Sequence, residues 1–243
     1  MIKNLFETKT PHHHIKIIED PPLRKMLFGS GLCQEQSAIN LKSPGEHVYD
    51  YSRLSLYSLF FIPKPTDILV VGLGGAVIPN QFSILFPEAN IDILELDSEV
   101  VELSKKYFNF KESDKVKAHI GDAFVTISKL EKKYDIIILD VFTKSYIPHH
   151  IMSMEFLVKV NWMLKENGVV VINTCNDHPS FSSHLNTMLH SFPSSLFYRA
   201  DGPNNNLTSI IFIAKGCPPT DKLEKLVINE KILNSKIFTV KAV

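Results

Sequence analysis

Short apolar runs alternate with amphipathic stretches from residue 67 onward. Runs of this kind, rich in Ile, Leu and Val, predict buried strands, and the stretches between them have helical periodicity. The predicted strands are 67–72, 91–96, 116–120, 134–140 and 168–173. The predicted helices are 76–86, 98–108, 123–131 and 153–165, with Asn167 and Gly168 as the terminator of the last. The alternation predicts a mostly parallel sheet covered by helices on both faces.

The last part of this region predicts antiparallel pairing. After a further helix near 179–191, extended runs at 194–200 and 207–214 flank the turn-rich segment 201–206. A sheet of five parallel strands plus an antiparallel pair differs from a six-stranded dinucleotide fold. The predicted α/β architecture, a seven-stranded Rossmann-like sheet, resembles the class I SAM-methyltransferase fold.

The first part of the chain has a different pattern. Short β-leaning pieces, broken by Pro and Gly turns, lie at 14–18, 25–28 and 37–41. Helical periodicity follows over 50–61 and ends before Pro63. We therefore divide the chain into a small N-terminal β-module (1–48), a connecting helix and linker (49–66), the main α/β domain (67–215) and a C-terminal extension (216–243).

Composition and charge narrow the class of partner. The formal net charge is 0 and basic residues are scattered, which argues against nucleic acid and anionic membrane surfaces. Cys33, Cys175 and Cys217 lie far apart without a CxxC motif, so no disulfide framework or zinc site is indicated. The chain has neither a signal-peptide pattern nor an apolar run approaching the roughly 20 residues of a membrane span. We expect a cytoplasmic protein that acts on small molecules.

A glycine loop and a carboxylate mark a candidate nucleoside site. Gly72, Gly74 and Gly75 follow an apolar strand, where absent side chains let backbone amides approach a ligand. Glu95 ends the next strand, where a carboxylate can accept hydrogen bonds from ribose hydroxyls. The alternatives are a tight turn that binds nothing and a solvated strand end. Asp97 directly precedes a helix, which favours helix capping over ligand contact.

Two further acids end predicted strands. Asp122 opens a helix, so it either accepts a hydrogen bond from an adenine amino group or caps that helix. Asp140 closes the fourth strand, at the edge where open α/β sheets bind ligands; the alternative is an acid satisfied by loop amides. The next loop offers Tyr146, His149 and His150, and either histidine could act as a base.

The histidines of the chain do not indicate a metal site. Adjacent His149 and His150 lack a convergent third ligand, so no metal is expected. His12, His13 and His14 are interpreted as a solvated terminal run.

Taken in order, these motifs resemble the spermidine synthase (polyamine aminopropyltransferase) family, especially its divergent spermidine synthase-like members. The likeness extends over about residues 14–215. It rests on Gln36, Tyr51, VVGLGG at 70–75, LELD at 94–97, HIGDA at 119–123, YDIIILD at 134–140, IPHH at 147–150, EF at 155–156 and LKENG at 164–168.

The resemblance implies a co-substrate, S-adenosylmethionine or its decarboxylated form, and an acceptor that is a polyamine or another small amine. It also implies a homo-oligomer, with a dimer expected. Family roles fall on Gln36 and Glu95 at the donor's ribose side, Asp122 at adenine, Asp140 near the reacting centre and Tyr51 near the acceptor. Asp140, Tyr51 and His150 are the candidates for positioning and proton removal. The cofactor-binding candidates are Gln36, Gly72, Gly74, Gly75, Glu95 and Asp122.

Two departures from the family leave the reaction open. True aminopropyltransferases of this family carry an Asp at each of the two positions that Gly75 and Thr143 occupy in this chain. Polyamine recognition needs carboxylates, and each charge-assisted hydrogen bond contributes roughly 1.5 to 3 kcal/mol. Gly75 is expected to leave space and to remove repulsion from the carboxylate of intact S-adenosylmethionine.

Four activities are therefore compared. Aminopropyl-type transfer leads, followed by methyl transfer to an unknown acceptor and by a nucleoside-binding homologue without catalysis. A nicotinamide dehydrogenase is disfavoured because Val77 stands where GxGxxG has its third glycine.

Overall fold

The N-terminal module is a four-stranded antiparallel sheet. The computed structural model describes residues 1–29, 34–142, 147–201, 208–216 and 240–242. The strands lie in chain order: β1 (Lys3–Lys9), β2 (His14–Asp20), β3 (Leu23–Phe28) and β4 (Gln34–Asn40). Strands β2 to β4 correspond to the three pieces expected from the sequence, and β4 ends at Asn40, one residue before the end of the expected piece. Strand β1 was not predicted, because its apolar pair Leu5 and Phe6 is adjacent and does not alternate.

The connection between the two sheets is helical. Helix α1 (Asp50–Ser55) continues as a 3-10 helix over Leu56–Phe60, so the helix expected over 50–61 is present but tightens in its second half. Leu54, Leu56 and Leu59 are buried. Their burial fixes the connection against the main domain.

The main sheet has the expected parallel and antiparallel parts. Its strands are β5 (Asp67–Val71), β6 (Asn90–Glu95), β7 (Val116–Ile120), β8 (Tyr134–Leu139), β9 (Leu164–Cys175), β10 (Leu196–Asp201), β11 (Thr208–Ala214) and β12 (Val240–Ala242). Their order is β12-β10-β11-β9-β8-β5-β6-β7. Strands β5 to β9 are parallel, whereas β11 and β10 are antiparallel to their neighbours. The seven expected strands are confirmed, and β12 adds a short eighth strand beside β10.

Helices cover both faces of this sheet. They are α2 (Val77–Leu85), α3 (Ser98–Tyr107), α4 (Ala123–Thr126), α5 (Met154–Met163) and α6 (Phe181–Ser191), with a 3-10 turn at Ile127–Lys129. The helix terminator expected at Asn167 and Gly168 is wrong. Helix α5 ends at Met163, and β9 begins at once with Leu164 opposite Tyr134. Asn167 takes its left-handed φ of 65° inside β9.

Strand order places a crevice at the carboxyl ends of β5 and β8. Strand β5 pairs with β6 on one side and β8 on the other, so the connections leave in opposite directions there. Ligands bind at such switch points in open α/β sheets. Alternate residues of β5 enter different cores: Ile68 and Val70 pack with the N-terminal module, and Leu69 and Val71 pack with α5. Among the residues that the structure describes, no helix is long and apolar enough to cross a bilayer.

Candidate active site

A cavity of about 460 Å³ occupies this crevice. The N-terminal module closes one side, and the glycine loop and strand ends form the other. Of the nine catalytic and cofactor-binding candidates, the cavity wall includes all except Gly75: Gln36, Tyr51, Gly72, Gly74, Glu95, Asp122, Asp140 and His150. The fold thus brings these residues together, although their contacts with a ligand stay predictions. His149, the other histidine considered as a base, is not among the residues that line the cavity.

Glycines in the loop after β5 are required by backbone geometry. Gly72 has φ 95°, and a Cβ there would lie 2.2 Å from the carbonyl oxygen of Asp140. Gly74 has φ 50°, and its Cβ would lie 2.7 Å from Ser37 Oγ. Left-handed backbone and such close approach both favour glycine. The loop therefore touches the end of β8 and the N-terminal module at once.

Gly75 does not leave the space expected of it. A Cβ there would lie 2.7 Å from Ser37 Cβ and 2.9 Å from Phe108 Cδ1. Its buried N–H donates to Ser37 Oγ at 2.8 Å. The expectation of room for a donor carboxylate is wrong, because Ser37 and Phe108 fill that volume. Any effect of Gly75 on a ligand passes through the backbone of the loop.

Glu95 is buried, which overturns the solvated strand end as an alternative. Its side chain accepts the N–H groups of Leu73 at 2.9 Å and Asp97 at 3.0 Å. Burial raises the pKa of Glu95, and the backbone donors act in the opposite direction. The carboxylate therefore joins the glycine loop to the β6–α3 turn while it lines the cavity. A ribose contact stays a prediction.

Asp97 is a helix cap, as expected. Its side chain accepts the N–H of Glu99 at 3.0 Å, at the start of α3. It also accepts the hydroxyl proton of Thr10. The second contact joins the β1–β2 turn to the main domain.

Asp122 caps α4 and lines the cavity. It accepts the N–H of Phe124 at 2.9 Å, and its Oδ1 lies 3.3 Å from His150 Nε2. The capping role is confirmed, and an adenine contact stays a prediction. The second contact places His150 on the Asp122 side of the cavity. Thr143 and Tyr146 lie outside the described residues.

Asp140 is suited to take up a proton. It accepts the amide N–H of Asn173 at 2.8 Å, so its partner is a side chain and not the loop amides. Burial raises the pKa of Asp140 to about 6, and the Asn173 hydrogen bond opposes that shift. A carboxylate with this pKa is ionised at neutral pH and accepts protons more readily than an exposed one.

Tyr51 is a positioning group. Its hydroxyl donates to the Gln36 carbonyl at 3.0 Å. Burial, followed by the nearby charge of Asp140, raises the pKa of Tyr51. The phenol therefore stays protonated at neutral pH. Proton removal by Tyr51 is therefore not supported, and its expected place near the acceptor stays a prediction.

Several cavity residues were missed in the sequence. His13 lines the cavity and stacks on Phe28 with ring centroids 4.2 Å apart, and His14 Nε2 lies 2.7 Å from Glu7. The solvated run expected at 12–14 is therefore wrong for His13 and His14, whereas His12 is exposed as expected. Asn173 ends the apolar run of β9, and the strand-end rule that selected Asp140 would have found it.

Glu35 adds an acid at the cavity wall. It accepts Lys25 Nζ at 2.8 Å and the hydroxyl of Tyr49. Burial works against its charged form, but Lys25 and Tyr49 outweigh burial and lower the pKa of Glu35. No sequence motif marked this residue.

The wall of the cavity is acidic. Its described residues include four carboxylic acids and neither Lys nor Arg: the acids are Glu35, Glu95, Asp122 and Asp140. Lys25 offsets the charge of Glu35, and the other three acids favour cationic ligands over anionic ones. Within the described part of the chain, no group of three His, Cys, Asp or Glu side chains is placed to hold a metal ion.

Comparisons with known proteins identify relatives of both the fold and the sequence. Residues 49–201 match the model of the spermine/spermidine synthase domain. A polyamine aminopropyltransferase of Vibrio vulnificus is 35% identical over 175 residues, which cover 70% of this chain and 58% of that protein. An eEF1A lysine and N-terminal methyltransferase of Mus musculus is 33% identical over 157 residues, covering 60% of this chain and 22% of that protein.

A solved structure extends the likeness to nearly the whole chain. A probable spermidine synthase from Corynebacterium glutamicum superposes with a TM-score of 0.79 at 21% identity, covering 98% of this chain and 90% of that one. The shared fold therefore includes the N-terminal module.

Proposed function

The chain belongs to the spermine/spermidine synthase domain family, and we propose that it transfers an alkyl group of the aminopropyl type from a sulfonium nucleoside to a small amine. The observation that carries this proposal is that Asp140, with its raised pKa, and the neutral phenol of Tyr51 both line one acidic cavity. The donor is decarboxylated S-adenosylmethionine or S-adenosylmethionine itself.

The charge of the cavity supports this substrate class. A sulfonium nucleoside and a protonated amine are both cations, and four carboxylic acids line the wall. A polyamine would place further ammonium groups in the same field. The nucleoside would lie along the glycine loop, with Glu95 at its ribose and Asp122 at its adenine, as the family resemblance implies.

The transfer follows from the placement of Asp140. An amine with a solution pKa near about 10.4 must lose a proton before it attacks. Asp140 accepts that proton, and the nitrogen lone pair forms a bond to the carbon next to sulfur. The carbon–sulfur bond breaks with its electron pair on sulfur, which becomes a neutral thioether. Orientation in the cavity supplies most of the remaining acceleration.

Tyr51 complements Asp140 as a hydrogen-bond acceptor. Its own proton is directed to the Gln36 carbonyl, so its oxygen offers a lone pair to an N–H of the amine. Two acceptors, Asp140 and Tyr51, select a nucleophile that carries more than one N–H. A primary amine has this property.

Methyl transfer is the second candidate. It is favoured by the 33% identity to the eEF1A lysine and N-terminal methyltransferase, although the match spans 22% of that relative. The acceptor would then be an amine on a protein. A homodimer and a cytoplasmic location remain predictions for either activity.

Donor labelled in its methyl group separates the two activities. Label retained in methylthioadenosine indicates aminopropyl transfer. Label on the acceptor, with adenosylhomocysteine released, indicates methyl transfer. If neither product forms with a panel of α,ω-diamines or with protein extracts, the transferase proposal is contradicted.

A further inference from the structure

The carboxylate of Asp140 is held by a side chain from the neighbouring strand. Nδ2 of Asn173 donates to Oδ1 of Asp140 at 2.8 Å. Within the described ranges of the chain, no hydrogen bond reaches the second carboxylate oxygen, Oδ2. Because Asp140 lines the cavity, Oδ2 is the oxygen left for a ligand.

Strand register places the two side chains next to each other. Strands β8 and β9 are parallel, and Leu139 of β8 lies opposite Ile172 of β9. The residues that follow, Asp140 and Asn173, are therefore neighbours at the carboxyl edge of the sheet, and both line the cavity.

The backbone fixes both members of the pair. The N–H of Asp140 donates to the carbonyl of Val71, at the end of β5, at 2.9 Å. Asn173 is 7% exposed and pairs with Ile210 of β11, so it lies between two neighbouring strands. A side chain on such a strand has little freedom to move. The amide is therefore in place before any ligand binds.

The chemistry of the pair determines which end of the amide faces the carboxylate. An ionised carboxylate only accepts hydrogen bonds, whereas an Asn amide has an NH₂ donor and a carbonyl acceptor. The NH₂ group of Asn173 must therefore face Asp140. A hydrogen bond to the charged form favours that form, which is the one able to accept a proton.

From this geometry we infer that Asn173 is a positioning residue: it holds Oδ1 of Asp140 and leaves Oδ2 to take the proton of the acceptor amine. The inference rests on the proposed function and adds a residue that acts through Asp140. In this step the N–H bond of the amine breaks and an O–H bond forms at Oδ2. The electron pair stays on nitrogen and attacks the carbon next to sulfur.

Other titratable side chains line the same cavity. In the described part of the chain they are His13, Glu35, Tyr51, Glu95, Asp122, His150 and Cys175. Among the hydrogen bonds of the described residues, none joins these side chains to Asp140. They are unchanged when position 173 is replaced, so a comparison of variants isolates the bond from Asn173.

Titration of the carboxyl group tests this bond without any substrate. Aspartate labelled with ¹³C at Cγ reports on Asp140, whose resonance is assigned by its loss in Asp140→Asn. Asn173→Leu has a side chain of similar size and no N–H, so Asp140 should titrate about one to two pH units higher than in the unsubstituted chain. Asn173→Asp keeps the shape and adds a like charge, so the upper titration of the pair should lie higher still.

Transfer kinetics test the consequence for the reaction. In Asn173→Leu, kcat should fall by about 10- to 100-fold at pH 7. The pH below which kcat declines should rise by the same one to two pH units, so the loss should be smaller at pH 9, where Asp140 is ionised in both proteins. The KM of the donor should change by less than about threefold, because no donor-side group is altered.

A matched control removes the same kind of bond elsewhere in the sheet. Nδ2 of Asn90 donates to Oδ1 of Asp67 at 3.0 Å, where β5 and β6 begin. In the described part of the chain, neither residue is among those that line the cavity. Asn90→Leu should therefore leave both the titration of Asp140 and the pH profile of transfer unchanged.

The outcomes separate this inference from the proposed function. If the unsubstituted chain transfers no group to any amine, the proposed function fails, while the titration still shows whether Asn173 stabilises ionised Asp140. If Asp140 titrates at the same pH in the variants, or if its titration moves and the pH profile of transfer does not, the positioning role is overturned. If Asn173→Leu does not fold, the isosteric Asn173→Asp decides by the same two measurements.

Discussion

The main domain and the N-terminal module build one cavity by different means. In the main domain, Glu95, Asp122 and Asp140 stand directly at or beyond the carboxyl ends of parallel strands, so strand order alone gathers them. In the module, Ser37 reaches the cavity through a bulge and a contact with the glycine loop. The first arrangement tolerates local change at the module, whereas the second depends on fit between two sheets. We expect the main domain to dominate donor binding and the junction to dominate acceptor use.

Replacing Asp140 should have the largest effect of these changes, and the effect should fall on transfer to the acceptor. Asp140→Ala removes the proton acceptor, so transfer should fall by about 10² to 10⁴-fold. Methylthioadenosine binding should change by less than about fivefold, because this change removes no donor-side group. Steady-state kinetics and calorimetry measure the two. Asp114→Ala, at an exposed site, serves as control. If Asp140→Ala lost methylthioadenosine binding to the same extent as transfer, the division between donor side and acceptor side would be contradicted.

Replacing Glu95 should weaken binding of the donor. Glu95→Gln places an amide NH₂ where the carboxylate accepts the N–H groups of Leu73 and Asp97. Loss of charge-assisted bonds should weaken methylthioadenosine binding by roughly 10- to 100-fold. Calorimetry measures the change, with Glu99→Gln in the first turn of α3 as control. Unchanged affinity would remove Glu95 from the donor site.

A side chain at Gly75 tests the junction between the two regions. Gly75→Ala places a Cβ within 3 Å of both Ser37 and Phe108, so it should lower the free energy of unfolding by about 1 to 3 kcal/mol. Gly45 has nothing within 4 Å of its Cβ position, and Gly45→Ala should stay within about 0.5 kcal/mol. Urea unfolding compares them. Equal stability of the two variants would show that the packing around Gly75 adjusts to the added Cβ.

The pH dependence of stability gives a smaller effect. The pKa of Asp140 rises from 3.8 to about 6 on folding. Its contribution is therefore fully present below pH of about 4 and is lost as pH rises through about 6. The side chain of Asp140→Asn does not ionise, so this variant does not lose that stability as the pH rises. The difference in free energy of unfolding, variant minus unsubstituted chain, should therefore increase by about 1 to 3 kcal/mol from pH 4 to pH 7. Urea midpoints at both pH values measure it; an opposite trend would place Asp140 in a polar environment.

Activity should have the opposite pH trend. Asp140 accepts a proton only when ionised, so transfer should fall as pH drops below about 6.

The same contrast explains what could be predicted from the sequence. Apolar runs at 67–71 and 134–139 form strands because their side chains are buried on both faces, and the acids after them follow from topology. Position 37 carries no such local signal. The place of Ser37 in the cavity wall depends on a bulge in β4 and on packing against residues distant in the chain, which periodicity does not encode. Gly75 was misread for the same reason, because Phe108 and Ser37 reach it from elsewhere in the sequence.

The most direct measurement of the central claim is donor binding. Calorimetry should be carried out on the unsubstituted chain with S-adenosylmethionine, decarboxylated S-adenosylmethionine and methylthioadenosine. The acidic cavity and the family predict binding of methylthioadenosine and of at least one of the two sulfonium donors. If none of the three binds, the chain does not use a sulfonium nucleoside and the proposed transfer is wrong.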